Sequence, residues 1–190
     1  IIELSDALGV VKFIPRTNQL VYIRIEARSP GCFSIVGKLA QDNYQPVNLQ
    51  RSGCLVPGII KHELIHALGL DHEQTRPDRD SYIQINFENI EEKQQHNYNI
   101  RIDSMILGTQ YDYGSVMHYN RRAFALNPNE DTIITLQAGA DDLGQRDGPS
   151  DLDILKVRLL YQCISGPRDL SSYESVPCSS DCPCWEGAYG

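Results

Sequence analysis

The sequence lacks any long apolar run, and this absence argues against a membrane-spanning protein. No stretch approaches the roughly 20 consecutive apolar residues that a spanning helix requires, so we expect no membrane span. A basic excess is also lacking, since 17 Lys and Arg stand against 25 Asp and Glu, which gives a formal net charge of -8. Because nucleic-acid-binding proteins usually carry a basic patch, this acidic balance argues against a nucleic-acid partner.

The six cysteines lack the paired CxxC spacing of structural zinc sites. An even set of cysteines in an extracellular protein usually forms disulfides, so we expect an oxidising compartment and a secreted protein. A signal peptide is also lacking, because the first ten residues are too few and are interrupted by Glu3 and Asp6. We therefore expect that any targeting segment has already been removed.

The chain is long enough for one main domain with its own core. Helical spacing of apolar residues predicts a short opening helix, a helix over 53–68 with Pro57 near its first turn, and a late helix that Ser150 can cap. Alternating patterns predict strands in LVYIRIEA, CFSIVGK and QPVNLQ. The predicted inward face of the late helix consists of Leu152, Leu155, Leu159 and Leu160. Residues 164–190 are rich in Ser, Pro, Gly and Cys and have no periodicity, which indicates a tail or the start of another module.

The stretch HELIHALGLDHE carries the strongest chemical signal in the chain. On a helix, His62 and His66 are four residues apart, so both imidazoles leave the same face and can bind one ion. Glu63 lies about 100° around the helix, where its carboxylate can take a proton from water without binding the metal. We expect the opposite face of this helix to be buried in the core: Ile60, Leu64, Ala67 and Leu68.

His72 can join this pair only if the helix ends first. Six further helical residues would carry it about 9 Å onward and about 240° around the axis. Gly69 stands where a left-handed residue can reverse the chain, and we therefore predict that the glycine turns His72 toward the other two histidines. Three neutral imidazoles leave one zinc coordination position open, which is typical of a catalytic site. For His96 and His118 we favour roles other than metal binding.

Alternatives remain beside this interpretation. A short HExxH motif occurs by chance on helices, but the extended HExxHxxGxxH pattern removes most of that doubt. A thermolysin-like site would take a distant glutamate as its third ligand, whereas His72 fills that position here. A non-catalytic binding or egg-coat protein could keep the same fold, although the intact Glu63 argues against it.

These motifs resemble the astacin family of metzincin metallopeptidases, through HELIHALGLDHE, RPDRD and SVMHY. The resemblance runs from FIPRTN to LYQC and is greatest to the hatching-enzyme branch; it marks residues 1–163 as a catalytic domain and 164–190 as the tail. It implies an α+β fold with an N-terminal twisted sheet and two helices, a mostly irregular C-terminal part with one late helix, and an active-site cleft between them. It also implies one zinc ion per chain and endopeptidase activity on protein or peptide substrates. The oligomeric state is not indicated.

The resemblance also implies roles for individual residues. Met117 would lie beneath the zinc as an apolar floor, and Tyr119 would be an extra zinc ligand that later stabilises the oxyanion. Glu63 would act as base and then as acid. Glu73 would be buried and linked to the mature N-terminus, and Arg146 would lie in the first primed pocket and favour an acidic residue there.

This chain departs from the family pattern in two places. The family has about 40 residues before the position of Ile1, far more than a terminus that commonly frays, so we expect a truncated sequence or an altered activation arrangement. Cys32 and Cys54 match a family disulfide. Cys163 matches another family cysteine, but Val10 stands near the position of its usual partner. We therefore predict a bond from Cys163 to one of three tail cysteines: Cys178, Cys182 or Cys184.

Overall fold

A computed structural model describes residues 1–39, 43–161 and 185–189 of the chain. Its helices are α1 (Ile2–Leu8), α2 (Pro57–Leu68) and α3 (Asp151–Leu160). Its strands are β1 (Val11–Pro15), β2 (Tyr22–Glu26), β3 (Cys32–Ser34), β4 (Tyr44–Leu49), β5 (Ile83–Ile85), β6 (Ile133–Thr135) and β7 (Trp185–Tyr189). Four 3₁₀ helices lie between α2 and β6: Glu73–Thr75, Arg79–Ser81, Phe87–Asn89 and Glu92–Tyr98. None of the helices in these described ranges is long and apolar enough to cross a membrane.

The main sheet has the order β1-β7-β2-β4-β3. All neighbours in it are parallel except β3, which is antiparallel to β4. Strand β7 comes from the segment that the sequence indicates to be a tail or the start of another module. It pairs with β1 over five residues and with β2 through Ile23 and Tyr189. A second sheet pairs β5 with β6. Five residues of the tail therefore belong to the main sheet.

Strand β1 is an element that the sequence patterns did not predict. Val11 and Phe13 are buried and Lys12 is exposed, which is the alternation of a half-buried strand. The strand is short and ends in a proline, so its signal is weak.

Helix α2 begins at Pro57, four residues later than predicted. Gly53 is in the left-handed region with φ 100°, and Cys54 is tied to Cys32 by a disulfide, so the chain cannot be helical there. Pro57 occupies the first turn, where its missing N–H would have no helical partner. The predicted inward residues Leu64, Ala67 and Leu68 are buried, whereas Ile60 is only partly buried.

Helix α3 forms where predicted, but its buried face differs from the predicted leucine face. Ser150 caps the helix and accepts a hydrogen bond from the backbone N–H of Asp153. Of the four predicted leucines only Leu155 is buried, and the other buried members of the helix are Asp153, Lys156 and Val157. Two of these are charged, and they lie behind the site described below.

The site lies where two apolar cores meet. The first core joins α1, the main sheet and α2, and it includes Met117 and Val157. The second core contains residues 83–143 and is rich in tyrosine, with Tyr119 packed against it. The described chain after α2 is mostly irregular apart from α3. The predicted α+β class is confirmed.

Candidate metal and catalytic centre

The end of α2 sets the positions of the first two histidines. His62 and His66 lie one turn apart, and both are buried. Gly69 ends the helix in the left-handed conformation with φ 112°, and its N–H donates to the carbonyl of His66 at 2.8 Å. A Cβ at Gly69 would also lie 3.1 Å from Leu160. A side chain at this turn would therefore strain the backbone and crowd α3.

The turn at Gly69 brings His72 to the other two imidazoles, as the sequence predicts. One ligand nitrogen from each of His62, His66 and His72 lies within 4.8 Å of the others. The Nε2 atoms of His66 and His72 are 3.2 Å apart. Two nitrogens that share a tetrahedral zinc at the usual bond lengths are about 3.3 Å apart, so these side chains fit a zinc ion.

Hydrogen bonds on the far side of two rings orient them. Nδ1 of His62 lies 2.7 Å from the carbonyl of Val116, and Nδ1 of His66 lies 2.7 Å from the carbonyl of Leu70. When Nδ1 carries the proton and donates it, Nε2 is left for the metal. Burial lowers the pKa of His62 to about 3 and that of His66 to about 4, so both rings are neutral at pH 7. Neutral imidazole is the form that binds zinc.

Glu63 is a buried carboxyl group beside this triad. It is 4% exposed, and its Oε2 atom has no hydrogen-bond partner among the described residues. Burial raises the pKa of Glu63 to about 7, although the positive charge of Arg146 opposes the rise. An unpartnered buried carboxyl with a pKa near neutrality is suited to taking up and releasing a proton.

The segment 115–119 forms a tight turn against the triad. Met117 is buried in the first core, and its carbonyl accepts a hydrogen bond from the backbone N–H of Glu73 at 3.1 Å. The ring of Tyr119 lies 4.5 Å from the ring of His72, measured between centroids. Burial raises the pKa of Tyr119 to about 12, so its phenol keeps its proton at neutral pH. Its roles as ligand and hydrogen-bond donor stay predictions.

Arg146 lies near both Glu63 and Tyr119. Its Nη1 atom donates to the carbonyls of His118 at 3.1 Å and Gln145 at 2.7 Å, and burial lowers its pKa. The negative charge of Glu63 opposes this lowering of the Arg146 pKa. The guanidinium is thus partly desolvated and close to the proposed base.

Two glycines that the sequence interpretation overlooked place the Arg146 segment. A Cβ at Gly58, in the first turn of α2, would lie 1.7 Å from the carbonyl oxygen of Arg146. A Cβ at Gly144, which has φ 83°, would lie 2.3 Å from the Cα of Asn120. Backbone contact at both points fixes this segment against α2 and against the residue that follows Tyr119.

Glu73 is buried, and its carboxylate contacts two side-chain cations. Its Oε1 atom accepts hydrogen bonds from Arg76 at 3.2 Å and from the backbone N–H of Asp112 at 2.9 Å. Its Oε2 atom accepts from Nζ of Lys156 at 2.5 Å. The link from Glu73 to the mature N-terminus that the resemblance implies stays a prediction. Nothing in the sequence indicated that Lys156 is buried, because the spacing of the leucines predicted the inward face of α3.

The remaining predictions concern the cysteines and His118. The disulfide between Cys32 and Cys54 is present, with an S–S length of 2.09 Å. His118 is buried and its ring nitrogens bond to Tyr111 and to the carbonyl of Tyr119, so it is not part of the triad. Cys163 and its predicted tail partners lie outside the described residues.

Three imidazoles that converge on one point, with a buried carboxyl beside them, define a mononuclear zinc site of the hydrolytic kind. Comparison with known proteins agrees. The model of the Astacin peptidase family matches residues 4–162, and the chain belongs to this family.

Individual relatives are similar over most of the chain. The low choriolytic enzyme of Oryzias latipes is 45% identical over 153 residues, which are 80% of this chain and 55% of that protein. Zinc metalloproteinase nas-13 of Caenorhabditis elegans is 44% identical over 156 residues, covering 80% of this chain and 33% of that protein. The solved structure of high choriolytic enzyme 1, a hatching enzyme zinc-protease from Oryzias latipes, superposes with a TM-score of 0.77. That match has 40% identity and covers 85% of this chain and 82% of the other.

The chain spans about half the length of two of these relatives, high choriolytic enzyme 1 and the low choriolytic enzyme of Oryzias latipes. Family membership and the triad together confirm zinc as the cofactor that the sequence predicts.

Proposed function

We propose that the chain is the catalytic domain of a secreted zinc endopeptidase that hydrolyses peptide bonds of extracellular proteins. The observation that carries the proposal is the buried carboxyl of Glu63, next in the helix to His62 of the imidazole triad, whose Oε2 atom has no hydrogen-bond partner in the described part of the chain. The family and the printed names of its zinc metalloproteinase relatives support it. The Cys32–Cys54 disulfide supports secretion, because such bonds persist in oxidising compartments.

The chain's own residues can carry the proton transfers of this reaction. Bound zinc would polarise the scissile carbonyl and lower the pKa of water to about 7. Glu63 accepts the proton of the attacking water and passes it to the leaving amine, so that one carboxyl is base and then acid. Its pKa of about 7 before the metal binds is close to the value that suits both steps.

The experiment that tests this function uses a generic unfolded protein as substrate. Cleavage that a chelator stops and zinc restores supports the proposal. Stoichiometric zinc binding without any cleavage would favour the non-catalytic binding protein.

Tyr119 is the proposed donor to the oxyanion of the tetrahedral intermediate. Its phenol stays protonated at neutral pH and lies beside His72. A hydrogen bond that strengthens only in the transition state raises kcat rather than substrate affinity.

We expect Tyr119→Phe to lower kcat by about 10²-fold, by analogy with loss of one oxyanion-hole donor. Zinc content and KM should change little, since the ring and its packing remain. Steady-state kinetics with zinc analysis measure these quantities. Phe124→Leu alters a ring that packs against Tyr119 and so controls for packing alone. An unchanged kcat in Tyr119→Phe would remove Tyr119 from the mechanism.

Arg146 is the proposed specificity-determining residue for the charge of the substrate. Its Nη1 atom donates to two backbone carbonyls, which orients the guanidinium. The negative charge of Glu63 acts on the pKa of this group, which supports a position of Arg146 on the same side of the centre. A partly desolvated guanidinium binds a carboxylate more strongly than a solvated one. We therefore propose that it favours an acidic residue just after the scissile bond.

We expect Arg146→Ala to lower the preference for Asp and Glu at the first primed position by about 10-fold or more, the value of a charged hydrogen bond. Cleavage profiles of a peptide library measure this. Arg122→Ala, which removes an exposed arginine paired with Asp131, should leave the profile unchanged. Identical profiles for wild type and Arg146→Ala would refute the assignment.

A further inference from the structure

Helix α3 places two oppositely charged side chains in the interior behind the zinc site. Asp153 is 0% exposed and Lys156 is 4% exposed, and they lie three residues apart on one face. Lysine is almost never fully buried unless it is paired. The contacts of these two residues therefore show what α3 holds in place.

Lys156 is bonded to the residue that follows the third histidine. Its Nζ atom lies 2.5 Å from Oε2 of Glu73, and both side chains are at most 5% exposed. The backbone N–H of Glu73 donates to the carbonyl of Met117. Lys156 thus holds the side chain of Glu73, the residue that follows His72 and whose backbone N–H is hydrogen-bonded to the turn at 115–119.

Asp153 reaches the other side of the same centre. Its Oδ1 atom accepts from the hydroxyl of Ser115 at 2.6 Å, and its Oδ2 atom accepts from the backbone N–H of Val116 at 2.9 Å. The carbonyl of Val116 is the partner of the His62 ring. One turn of α3 therefore contacts both sides of the centre. Asp153 reaches His62 through Val116, and Lys156 reaches His72 through Glu73.

The buried charges of this cluster balance. Glu73 and Asp153 supply two negative charges, and Arg76 and Lys156 supply two positive ones. Arg76 is shared, because Asp78 accepts hydrogen bonds from its Nε and Nη2 atoms. Without Lys156 the interior would hold an excess negative charge that Arg76 cannot fully neutralise, and an uncompensated buried charge is costly.

We infer that Lys156 is a positioning residue of the zinc centre: by neutralising the buried carboxylate of Glu73, it keeps His72 beside His62 and His66. Metal ligands depend on such supporting contacts, and loss of one commonly costs about 10- to 100-fold in metal affinity or activity. The inference rests on the proposed function only for its turnover readout. Zinc affinity tests it independently.

The experiment compares Lys156→Met with the double variant Lys156→Met/Glu73→Gln in the full chain. We expect Lys156→Met to weaken zinc binding by about 10- to 100-fold in chelator competition. The double variant removes both charges of the pair, so it should recover most of that loss, as a coupled pair does in a double-mutant cycle. Lys93→Met, which removes an exposed lysine, is the matched control and should bind zinc as wild type does.

Each other outcome overturns the inference. Zinc affinity of Lys156→Met within about twofold of wild type means that His72 does not depend on Lys156, given the size expected for a lost supporting contact. A double variant no better than the single one means that the charge of Glu73 is not what Lys156 controls. If neither variant folds, Lys156 serves the fold alone. If wild type binds zinc but cleaves nothing, the proposed function fails while the zinc comparison still decides the role of Lys156.

Discussion

Glu63→Gln is expected to lower kcat by about 10²- to 10⁴-fold, the usual contribution of a general acid-base group. The amide has almost the same shape as the carboxyl, but it cannot accept a proton from water or return one to the leaving amine. Glu63 is outside the imidazole triad, so zinc should remain stoichiometric. Because the lost interaction acts in the transition state, the change should fall on kcat and leave KM nearly unchanged.

Single-turnover kinetics and elemental analysis of the same preparation separate chemistry from metal loss. Glu88→Gln, which alters an exposed carboxylate far along the chain, is the control and should keep wild-type turnover. A Glu63→Gln protein with full zinc and wild-type kcat would show that another group moves the proton, and the proposed mechanism would be wrong.

The triad could be predicted from sequence because its information is local. Two histidines four residues apart share a helix face whatever surrounds the helix, and Gly69 permits the reversal that His72 needs. The fold class followed from the family resemblance, and hydrophobic periodicity indicated single helices and strands. The same local logic located α1, α2, α3 and three of the strands.

The support of the site was not predictable, because it depends on contacts between distant parts of the chain. Lys156 meets Glu73 across 83 positions, and Asp153 meets Ser115 across 38. A periodicity argument treats charged residues on a helix as solvent-facing, so it assigned the buried face of α3 to leucines. The close approach of Gly58 to Arg146 is of the same kind, since only the folded backbone brings them together.

The tail shows a further limit of pattern-based prediction. Trp185–Tyr189 pairs with β1 in register from Val11 to Pro15. Parallel pairing between the two ends of the chain leaves no turn signal in the sequence, unlike a hairpin with its short loop. A five-residue strand in a segment rich in Ser, Pro and Gly therefore cannot be separated from its surroundings by composition.

Removal of zinc is expected to abolish cleavage and to lower the free energy of unfolding by about 4 kcal/mol when the metal was present at about 1,000 times its dissociation constant. The folded protein alone brings the three imidazoles together, so only the folded state gains from the ion. Thermal unfolding with and without chelator measures the loss, and added zinc should restore both stability and cleavage.

The stability of the metal-free protein should also depend on pH through Glu63. Its pKa is about 7 in the folded state and 4.5 in the reference state, so the folded protein binds this proton more tightly. The resulting stabilisation is fully present below pH 4.5 and is lost as the pH rises through 7, with a total of about 3.4 kcal/mol, of which about 2.5 kcal/mol is lost between pH 5 and pH 8. The lowered pKa values of the histidines act in the opposite direction at low pH, but they are common to wild type and Glu63→Gln.

In chelator, the unfolding temperature of Glu63→Gln relative to wild type should therefore be higher at pH 8 than at pH 5, by about 5–10 °C for a chain of this size. An equal difference at both pH values would show that the buried carboxyl does not carry the raised pKa on which its proposed role as base depends.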